Sequence, residues 1–456
     1  MVYLVGAGPG DVGLITVRGQ AVLRRADVIL YDHLAPAELL DLAPASAEKI
    51  YVGKHNGCHA REQEEITALL VDRARRGGIV VRLKGGDPYI FGRGGEEAQA
   101  LAAAGIPFQV VPGVPSPIGL AAYCGVPLTH RDHTSSLRFV SGHDVARVDW
   151  SRTDLRETLV VFMGLTTFPE ITRALLAAGR SPDTPAMAVR WATTSRQRVL
   201  TGTLATLASE IARAGLKAPA TIVIGEVVQL REELDWFGRL PLTGRRFAVT
   251  GTAGTAALRR RGAEVIRLPV IEYLPLEDTS ALDAAIARLP QFAGVMFRSV
   301  EAARFFLGRM TELGLDARAF RGWIRAQDRG TARALRGARL MPDGIGFTDD
   351  IGGDVFVVGE DGVVPYRLVP APRLQPRAEA LFEAGSRPEW IVFTRPAEVS
   401  GFVEACGASM LEGVGVAAIG RATMETLERY SIPAVAFRVA LRGAQARSAV
   451  GLALMT

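Results

Sequence analysis

The stretch VRLKGGDPYIFGRGGEE, residues 81–97, passes from a strand pattern to a helix pattern across two glycine pairs. Its apolar opening, which begins at Ile79, predicts a buried β-strand, and the segment from Glu96 onward predicts an α-helix. The glycines allow the backbone to approach a ligand that a Cβ atom would keep away, and Asp87 offers a carboxylate to a hydroxyl or a cation. The same residues are also compatible with an ordinary strand–turn–helix junction that Asp87 caps.

The chain before this stretch repeats the order strand, polar loop, helix. A first predicted strand leads into the loop GAGPGD at 6–11. A second, 28–31, ends at Asp32, and a third, 49–52, is followed closely by Lys54. Because ligands of open α/β sheets bind at the carboxyl ends of the strands, we expect these loops and side chains to share one edge.

The loop at 6–11 superficially resembles the G-x-G-x-x-G fingerprint of dinucleotide-binding domains. That fingerprint needs a third glycine three positions after the second, followed directly by a helix. Here Pro9 stiffens the loop, and residues 11–14 delay the helix. The sequence therefore disfavours a nicotinamide-binding Rossmann domain without excluding one.

Strands and helices alternate along the rest of the chain and are joined by short loops. This order predicts an α/β protein whose first half contains a largely parallel sheet. Residues 239–244 have linker composition, so we expect domains at 1–238 and 245–456. Within the second domain, residues 295–299 resemble residues 391–395, which indicates an internal duplication.

Composition narrows the class of protein. The chain has 456 residues, 48% of them hydrophobic and 22% charged, and this length predicts two to four domains. The net charge is +5, and basic residues do not alternate with aromatic ones, so we expect a polyanionic small molecule rather than nucleic acid as partner. Three widely spaced cysteines favour a reducing compartment, and no apolar run is long enough to span a membrane. We expect a cytosolic protein.

A few residues suggest chemistry that their context does not support. His55, Cys58 and His59 lack a second ligand pair at zinc spacing, so we interpret them as a solvated loop and expect no metal. His143 follows a predicted strand and is an acid–base candidate by residue type. A hydrogen-bonded structural histidine is an equally good interpretation.

The ordered set of motifs from residue 2 to 237 resembles the tetrapyrrole methylases, specifically uroporphyrinogen-III C-methyltransferase. The segments that carry the resemblance are 6–11, 31–32, 53–54, 81–97, 127–131, 162–164 and 197–198. The resemblance implies two α/β subdomains with S-adenosylmethionine in the cleft between them. It also implies a homodimer formed through this domain.

Residue by residue, the resemblance implies a cofactor site and a pair of catalytic groups. Asp32 matches the proposed proton acceptor, and Lys54 matches the proposed proton donor. The chain departs from the family at Pro115 and Pro117, where a hydroxyl and a backbone donor are lost. The positions that match cofactor contacts are Pro9, Gly85, Gly86, Asp87, Ile90, Pro115, Ser116, Met163 and Ala192.

The implied substrate, uroporphyrinogen III, carries eight carboxylates. Arginine pairs with carboxylates through two parallel hydrogen bonds. Arg82, Arg93 and Arg131 are therefore candidate substrate-binding residues, each of which is equally compatible with a surface or structural role.

The second half, from residue 244 to 456, resembles uroporphyrinogen-III synthase more loosely. Tyr366 matches a tyrosine thought to assist loss of the substrate hydroxyl, and Thr331 and Thr423 match hydroxyls near the cleft. The resemblance implies two α/β lobes on a two-stranded hinge, with the first strand joining the carboxyl-terminal lobe. Gly251 and Arg298 replace residues that are usual in that family.

Three functions stay open on the sequence alone. The first is a bifunctional enzyme that cyclises hydroxymethylbilane and then methylates uroporphyrinogen III at C2 and C7 to give precorrin-2. The second is a methyltransferase whose synthase half only binds or channels tetrapyrrole. The third is a methylase that acts on a later corrin intermediate. The sequence does not separate siroheme from cobalamin as the end product.

Overall fold

A computed structural model describes residues 1–44, 46–53, 63–152, 154–346, 354–359, 362–383 and 387–442. The described chain falls into two compact units. One contains Met1–Arg246 with Thr255–Val265, and the other contains Phe247–Gly254 with Ile266–Ala440. Each unit has hydrophobic cores of its own.

The first unit begins with an α/β subdomain built on a parallel sheet. The strand order is β3-β2-β4-β1-β5, and every neighbouring pair in it is parallel. This confirms the prediction of a largely parallel sheet. Its elements are β1 Val2–Gly6, α1 Val17–Leu23, β2 Val28–Tyr31, β3 Glu48–Tyr51, α2 Gln63–Arg75, β4 Val80–Lys84, α3 Gly94–Ala103, β5 Phe108–Val111 and α4 Ser116–Cys124.

Strand β4 shows how the sequence determines this sheet. All five of its residues are buried. Because side chains alternate along a strand, Val81 and Leu83 pack into one core cluster, while Val80 packs into the cluster that also contains residues of α2 and α3. The two charged residues, Arg82 and Lys84, have the same parity as Val80 and lie on its face of the sheet.

The second subdomain contains a mixed sheet of order β6-β7-β10-β8-β9. Strands β6 and β7 are parallel, whereas the pairs β7–β10, β10–β8 and β8–β9 are antiparallel. Its elements are β6 Leu137–Ser141, β7 Thr158–Phe162, α5 Phe168–Ala177, β8 Pro185–Arg190, β9 Arg198–Thr203, α6 Leu207–Arg213, β10 Ala220–Ile224 and α7 Arg231–Leu234.

The second unit contains two lobes and a two-stranded ribbon. One lobe is built on the sheet β12-β11-β19-β20-β21 and the other on β16-β15-β14-β17, while β13 and β18 pair only with each other. Its strands are β11 Arg246–Val249, β12 Glu264–Arg267, β13 Ile271–Pro275, β14 Gly294–Phe297, β15 Trp323–Ala326, β16 Gly344–Ile345, β17 Val355–Val358, β18 Tyr366–Pro370, β19 Trp390–Phe393, β20 Gly415–Ala418 and β21 Val435–Ala436. Helix α8, Thr255–Arg259, belongs to the first unit. The helices of the second unit are α9 Ser280–Ala287, α10 Val300–Glu312, α11 Arg329–Gly337, α12 Leu374–Phe382, α13 Pro396–Cys406 and α14 Arg421–Arg429.

The lobe arrangement confirms the predicted two lobes, the two-stranded hinge and the position of the first strand. The first strand, β11, pairs in parallel with β19 and so joins the carboxyl-terminal lobe. The echo between residues 295–299 and 391–395 falls on β14 and β19, each of which lies between two parallel neighbours. In the residues that the structure describes, no helix has the length and apolar character needed to cross a membrane.

Candidate active site

Three strand ends of the first sheet meet backbone to backbone at glycines. Gly8 and Gly86 form an isolated bridge, in which the Gly86 N–H donates to the Gly8 carbonyl at 2.7 Å and the Gly8 N–H donates back at 3.2 Å. A Cβ atom added to Gly6 would lie 2.5 Å from the Gly113 Cα, and one added to Gly113 would lie 2.2 Å from the Gly86 carbonyl oxygen. Only glycine fits here. We call Gly6, Gly8, Gly86 and Gly113 the glycine floor.

Asp87 ties two of these loops together. Its Oδ1 accepts the Tyr89 N–H at 2.8 Å, and its Oδ2 accepts the Gly113 N–H at 3.0 Å. A carboxylate has about four acceptor sites, so it retains capacity for a ligand hydroxyl. Asp87 is therefore a structural tie that keeps acceptor capacity for a ligand.

The loop after β1 packs on α4 through Pro9 and contacts the second subdomain through Asp11. A Cβ atom on Gly119 would meet Pro9 at 2.4 Å, so the proline packs directly on α4. The Asp11 N–H donates to Thr193 Oγ1 at 3.0 Å, and the Tyr123 hydroxyl donates to Asp11 Oδ2 at 2.6 Å. These contacts place the β1 loop beside Ala192, whose carbonyl oxygen would lie 3.0 Å from a Cβ atom on Gly10.

Pro115 and Ser116 also face the glycine floor. A Cβ atom on Gly86 would lie 3.3 Å from Ser116 Oγ and 3.9 Å from the Pro115 Cα. Pro117 occupies the first turn of α4, where a missing N–H costs nothing. The two prolines that depart from the family pattern are thus compatible with the fold at this position.

Apolar side chains lie in the loops that surround the glycine floor. Met163 directly follows β7 and is 52% exposed, and Ile90 and Tyr89 are exposed in the loop after β4. The Phe91 ring lies 4.7 Å from the Phe162 ring, so the β4 loop meets the end of β7. Met163 and Phe91 both have positive φ values, 53° and 51°. Non-glycine residues rarely adopt this conformation, and it often occurs at functional sites.

Asp32 lies at the same edge of the sheet, at the end of β2. Its Oδ1 accepts the Leu34 N–H at 3.1 Å, and its Oδ2 lies 3.2 Å from Arg82 Nη2. Leu34 in turn packs on Gly85, where a Cβ atom would meet the Leu34 Cβ at 2.6 Å. The negative charge of Asp32, together with burial, raises the pKa of Tyr51, burial being the larger cause.

The buried position of Arg82 does not suit the predicted role in substrate binding. It is 3% exposed, and its guanidinium donates to Glu97, to Asp32 and to the Leu83 carbonyl. A buried, fully engaged guanidinium has no donor pair left for a substrate carboxylate. We therefore do not retain Arg82 as a substrate contact.

The other two candidate arginines are exposed. Arg93 immediately precedes α3, and its side chain forms a double hydrogen bond with Glu96 at 2.7 and 2.9 Å, which raises its pKa. Arg131 is exposed in the turn between His130 and Thr134. Both are accessible to an anionic substrate.

Several residues fall outside the predicted site or outside the described chain. Lys54, His55, Cys58 and His59 lie outside the described residues. His143 is exposed after β6, and its N–H lies 3.4 Å from Ser141 Oγ. Among the described residues, no group of three or more His, Cys, Asp or Glu side chains is placed to hold a metal ion.

Sequence reasoning missed two charged residues, Glu97 and Lys84, that form one cluster of charges with Arg82. Glu97 is fully buried on α3, and Lys84 lies 3.0 Å from its Oε1. The sequence pattern places Glu97 in a predicted helix and does not indicate that its side chain is buried. Arg82 and Lys84 stand two residues apart in an otherwise apolar strand. Because this spacing puts both cations on one face, it predicts a buried partner carboxylate.

The candidate residues of the second unit are buried. Tyr366 is 6% exposed, and its ring lies 5.0 Å from Tyr273 and 5.8 Å from Phe305. Thr331 is fully buried near the start of α11, and its Oγ1 has no hydrogen-bond partner among the described residues. Thr423 is buried in the first turn of α14.

An ion pair connects the two lobes of this unit. Arg395, which follows β19, lies 2.7 Å from Glu301 Oε2 near the start of α10. Its guanidinium also lies over the Tyr273 ring, 5.3 Å from the centroid, and donates to the Tyr273 hydroxyl. The pair thus links both lobes to the ribbon.

Comparisons with known proteins agree with the two-part fold. Residues 1–208 match the family model of tetrapyrrole (corrin/porphyrin) methylases, and residues 253–353 and 360–440 match that of uroporphyrinogen-III synthase HemD. The porphyrin biosynthesis protein HemD of Ruminiclostridium josui is 34% identical over 475 residues, which cover 94% of each chain.

Other relatives match about half of the chain. The siroheme synthase of Stutzerimonas stutzeri is 52% identical over 248 residues, which cover 54% of this chain and 53% of that protein. The chain thus spans about half the length of the siroheme synthases that it matches. A crystal structure of uroporphyrin-III C-methyl transferase from Thermus thermophilus, complexed with S-adenyl homocysteine, is 43% identical. It covers 50% of this chain and 99% of that chain, with a TM-score of 0.44.

The family relation makes S-adenosylmethionine the cofactor of the first half. The residues present fit this group. The glycine floor leaves room for close approach to the backbone, Asp87 retains acceptor capacity for a ribose hydroxyl, and Met163 and Ile90 supply apolar contact. The full-length match and the two family models together show that the chain belongs to the porphyrin biosynthesis proteins that join a tetrapyrrole methylase to a uroporphyrinogen-III synthase HemD domain.

Proposed function

We propose that the first half methylates uroporphyrinogen III at C2 and C7 and yields precorrin-2. The observation that carries this proposal is the meeting of the glycine floor, Asp87 and Asp32 at the carboxyl edge of one parallel sheet. A backbone floor suits a nucleotide-like cofactor. A carboxylate at the same edge suits removal of a ring proton.

In this proposal the chain acts mainly by positioning its substrates. The bound cofactor supplies a methyl group from a sulfonium. The glycine floor and Asp87 fix the nucleoside part, and the apolar side chains of Met163 and Ile90 exclude water from it. Correct alignment of two reactants contributes roughly 7–11 kcal/mol in well-oriented reactions. Asp32 then accepts the proton that the methylated macrocycle loses from a neighbouring position.

The exposed arginines are the proposed contacts for the substrate carboxylates. Arg93 offers a guanidinium already oriented by Glu96, and Arg131 offers one in an exposed turn. A surface ion pair such as Arg93–Glu96 contributes little to stability, so a substrate carboxylate competes with it at low cost.

For the second half we propose the cyclisation of hydroxymethylbilane to uroporphyrinogen III. The two lobes, the ribbon and the match to the synthase model support it. Tyr366, on the ribbon, is the proposed catalytic residue, and Thr331 and Thr423 are proposed substrate contacts.

One observation favours the alternative, a synthase half that only binds tetrapyrrole. Tyr366 is buried against two aromatic rings, and Thr331 and Thr423 are also buried. Turnover in this half therefore requires the lobes to separate. A half that stays closed would not cyclise its substrate.

We also propose a domain division at 239–244, a homodimer formed through the methyltransferase domain, and a cytosolic location. The sparse, widely spaced cysteines support the location, because disulfides are rare in reducing compartments. Of the described cysteines, Cys124 and Cys406 are free thiols.

Activity assays of the full chain with two different substrates test the two halves separately. With uroporphyrinogen III and S-adenosylmethionine, we expect dimethylated product from the wild type and a loss of about 100-fold or more in kcat for Asp32→Asn. With hydroxymethylbilane, we expect uroporphyrinogen III from the wild type and a strong loss for Tyr366→Phe. Methylation without cyclisation would favour the binding-only alternative, and no methylation would reject the main proposal.

A further inference from the structure

Two cations on β4 and two carboxylates around them form a charge cluster, Asp32–Arg82–Glu97–Lys84, which we call the buried quartet. Arg82 Nε lies 3.1 Å and Lys84 Nζ lies 3.0 Å from Glu97 Oε1, and Arg82 Nη2 lies 3.2 Å from Asp32 Oδ2. The side chains of Arg82, Glu97 and Lys84 are at most 5% exposed, whereas that of Asp32 is 21% exposed. The quartet therefore reaches solvent through Asp32.

The Arg82 guanidinium is fixed from several sides. Its Nη1 donates to the Leu83 carbonyl at 2.9 Å and lies 3.5 Å from the Leu30 carbonyl. Its Nε donates to Glu97 Oε1. Because the guanidinium is planar, these contacts determine where Nη2 points. It points at Asp32, whose other oxygen accepts the Leu34 N–H. Both oxygens of Asp32 are thus held.

Stability does not explain this arrangement. Burying charges carries a desolvation cost that often exceeds the attraction between them, and apolar residues of similar size are often equally stable. Burial, and after it the neighbouring charge of Arg82, lower the pKa of Lys84, while the carboxylate of Glu97 opposes this change. Gln63 adds a third donor to Glu97 Oε1, at 3.1 Å. The cluster is consistent with a role in orienting the one member that is exposed.

We propose that Arg82 is a positioning residue that holds the Asp32 carboxylate in a single orientation, with Glu97 and Lys84 as its buried anchor. The inference rests on the proposed function, in which Asp32 accepts the ring proton.

Methylation is completed when the substrate transfers one proton to Asp32. Methyl transfer leaves the macrocycle cationic, and the methylated carbon itself carries a side chain and no hydrogen. A C–H bond of an adjacent methylene bridge therefore breaks, its electron pair neutralises the macrocycle, and the proton forms an O–H bond on Asp32. Arg82 keeps its own proton throughout, because a guanidinium is not deprotonated in proteins. Its two contributions are geometry and a positive charge beside the carboxylate before transfer.

A double-mutant cycle on the full chain tests the proposal. We expect Arg82→Met to lower kcat with uroporphyrinogen III by about 100-fold while KM stays within about threefold, as for Asp32→Asn. The double variant should lose little more than either single variant, because both changes remove the same oriented carboxylate. Arg82→Lys keeps the charge and should recover part of kcat. Affinity for S-adenosylhomocysteine, measured by calorimetry, should be unchanged in all of them.

Arg180→Met is the matched control, because Arg180 is a buried arginine of the second subdomain that donates to the Glu157 carbonyl. It should lower the melting temperature while kcat stays within about threefold of the wild type. If Arg82→Met does not fold, Arg82→Lys and Glu97→Gln decide, each with an expected loss in kcat of about tenfold.

Unchanged kcat in the Arg82 variants, or losses that multiply in the double variant, would overturn the inference while wild-type methylation leaves the proposed function standing. If neither the wild type nor any variant methylates uroporphyrinogen III, the proposed function itself fails.

Discussion

At the scale of single residues, Asp87 shows how a proposed ligand contact can also be a structural tie. The sequence alone leads one to expect that removal of its carboxylate weakens cofactor binding far more than it lowers thermal stability. The structure changes that expectation, because Tyr89 and Gly113 both donate backbone N–H groups to the carboxylate. Removing it leaves both donors without their acceptor.

We therefore expect Asp87→Ala to affect two measurements together. S-adenosylhomocysteine affinity, measured by calorimetry, should fall about tenfold or more, because a hydrogen bond to a charged group contributes about 1.5–3 kcal/mol. The melting temperature should also fall. Asp87→Asn keeps one acceptor oxygen, so it should retain more stability while still losing affinity. An affinity equal to that of the wild type would remove Asp87 from the cofactor site.

Glu157 gives a prediction about pH. It is buried, its Oε1 has no hydrogen-bond partner among the described residues, and burial raises its pKa above the usual 4.5. In that case the folded state binds more protons than the unfolded state between 4.5 and the raised pKa. Stability from this group is therefore full below pH 4.5 and declines as pH rises through the raised pKa.

The test compares the wild type with Glu157→Gln by urea unfolding from pH 4 to pH 7. The free energy of unfolding of the wild type, relative to the variant, should decrease as pH rises, whatever constant difference separates the two proteins. A relative stability that is flat or increases with pH would show that Glu157 is not held in its protonated form by burial.

At the scale of elements, the meeting of strand ends is the feature that the sequence predicts best. The glycines after β1 and β4 mark loops that must approach something closely, and the parallel order of the strands places them at one edge. The sequence says less about whether neighbouring strands of the second subdomain run parallel or antiparallel. The apolar runs of β7, β8 and β10 indicate buried strands, but the same pattern suits parallel and antiparallel neighbours.

Arg82 and Tyr366 show a second limit of sequence reasoning. A charged residue in a strand is compatible with a substrate contact until its partner is known, and Glu97 lies 15 residues further along the chain on α3. In the same way, the sequence does not show that the rings of Tyr273 and Phe305 lie against Tyr366, so that the proposed catalytic group is buried in this arrangement of the lobes. The roles of both residues depend on contacts between elements that are distant in sequence. The hydrophobic periodicity of the sequence carries no information about these contacts.

The glycine floor gives a prediction with a matched control. Gly113→Ala would place a Cβ atom 2.2 Å from the Gly86 carbonyl oxygen, whereas the Cβ atom of Gly95→Ala would have nothing within 4 Å. We expect Gly113→Ala to lower the free energy of unfolding by about 2 kcal/mol and to weaken S-adenosylhomocysteine binding. Gly95→Ala, in α3, should be neutral or stabilising by at most about 1 kcal/mol. Equal effects of the two substitutions on stability and binding would contradict the close-packed floor.

At the scale of the whole molecule, two compact units with separate cores lead us to expect two thermal transitions. A ligand stabilises only the unit that binds it, by about 2.7 kcal/mol at a free concentration 100 times its Kd. S-adenosylhomocysteine should therefore raise one transition in differential scanning calorimetry and leave the other unchanged. An equal shift of both transitions would contradict the assignment of the cofactor to the first half.

The same experiment identifies the other transition. Arg395→Met breaks the ion pair with Glu301 that links the two lobes of the second unit, and it removes the contact with Tyr273. We expect it to lower the transition that is insensitive to S-adenosylhomocysteine. Arg421→Met, which removes an exposed pair with Glu425 inside α14, is the control and should shift neither transition measurably.

The most direct test of the methyltransferase assignment counts the methyl groups that the full chain transfers to uroporphyrinogen III from isotopically labelled S-adenosylmethionine, by mass spectrometry of the product. The account predicts two labelled methyl groups on each product molecule. A substrate recovered with its mass unchanged, under conditions where the protein is folded and binds S-adenosylhomocysteine, would contradict it.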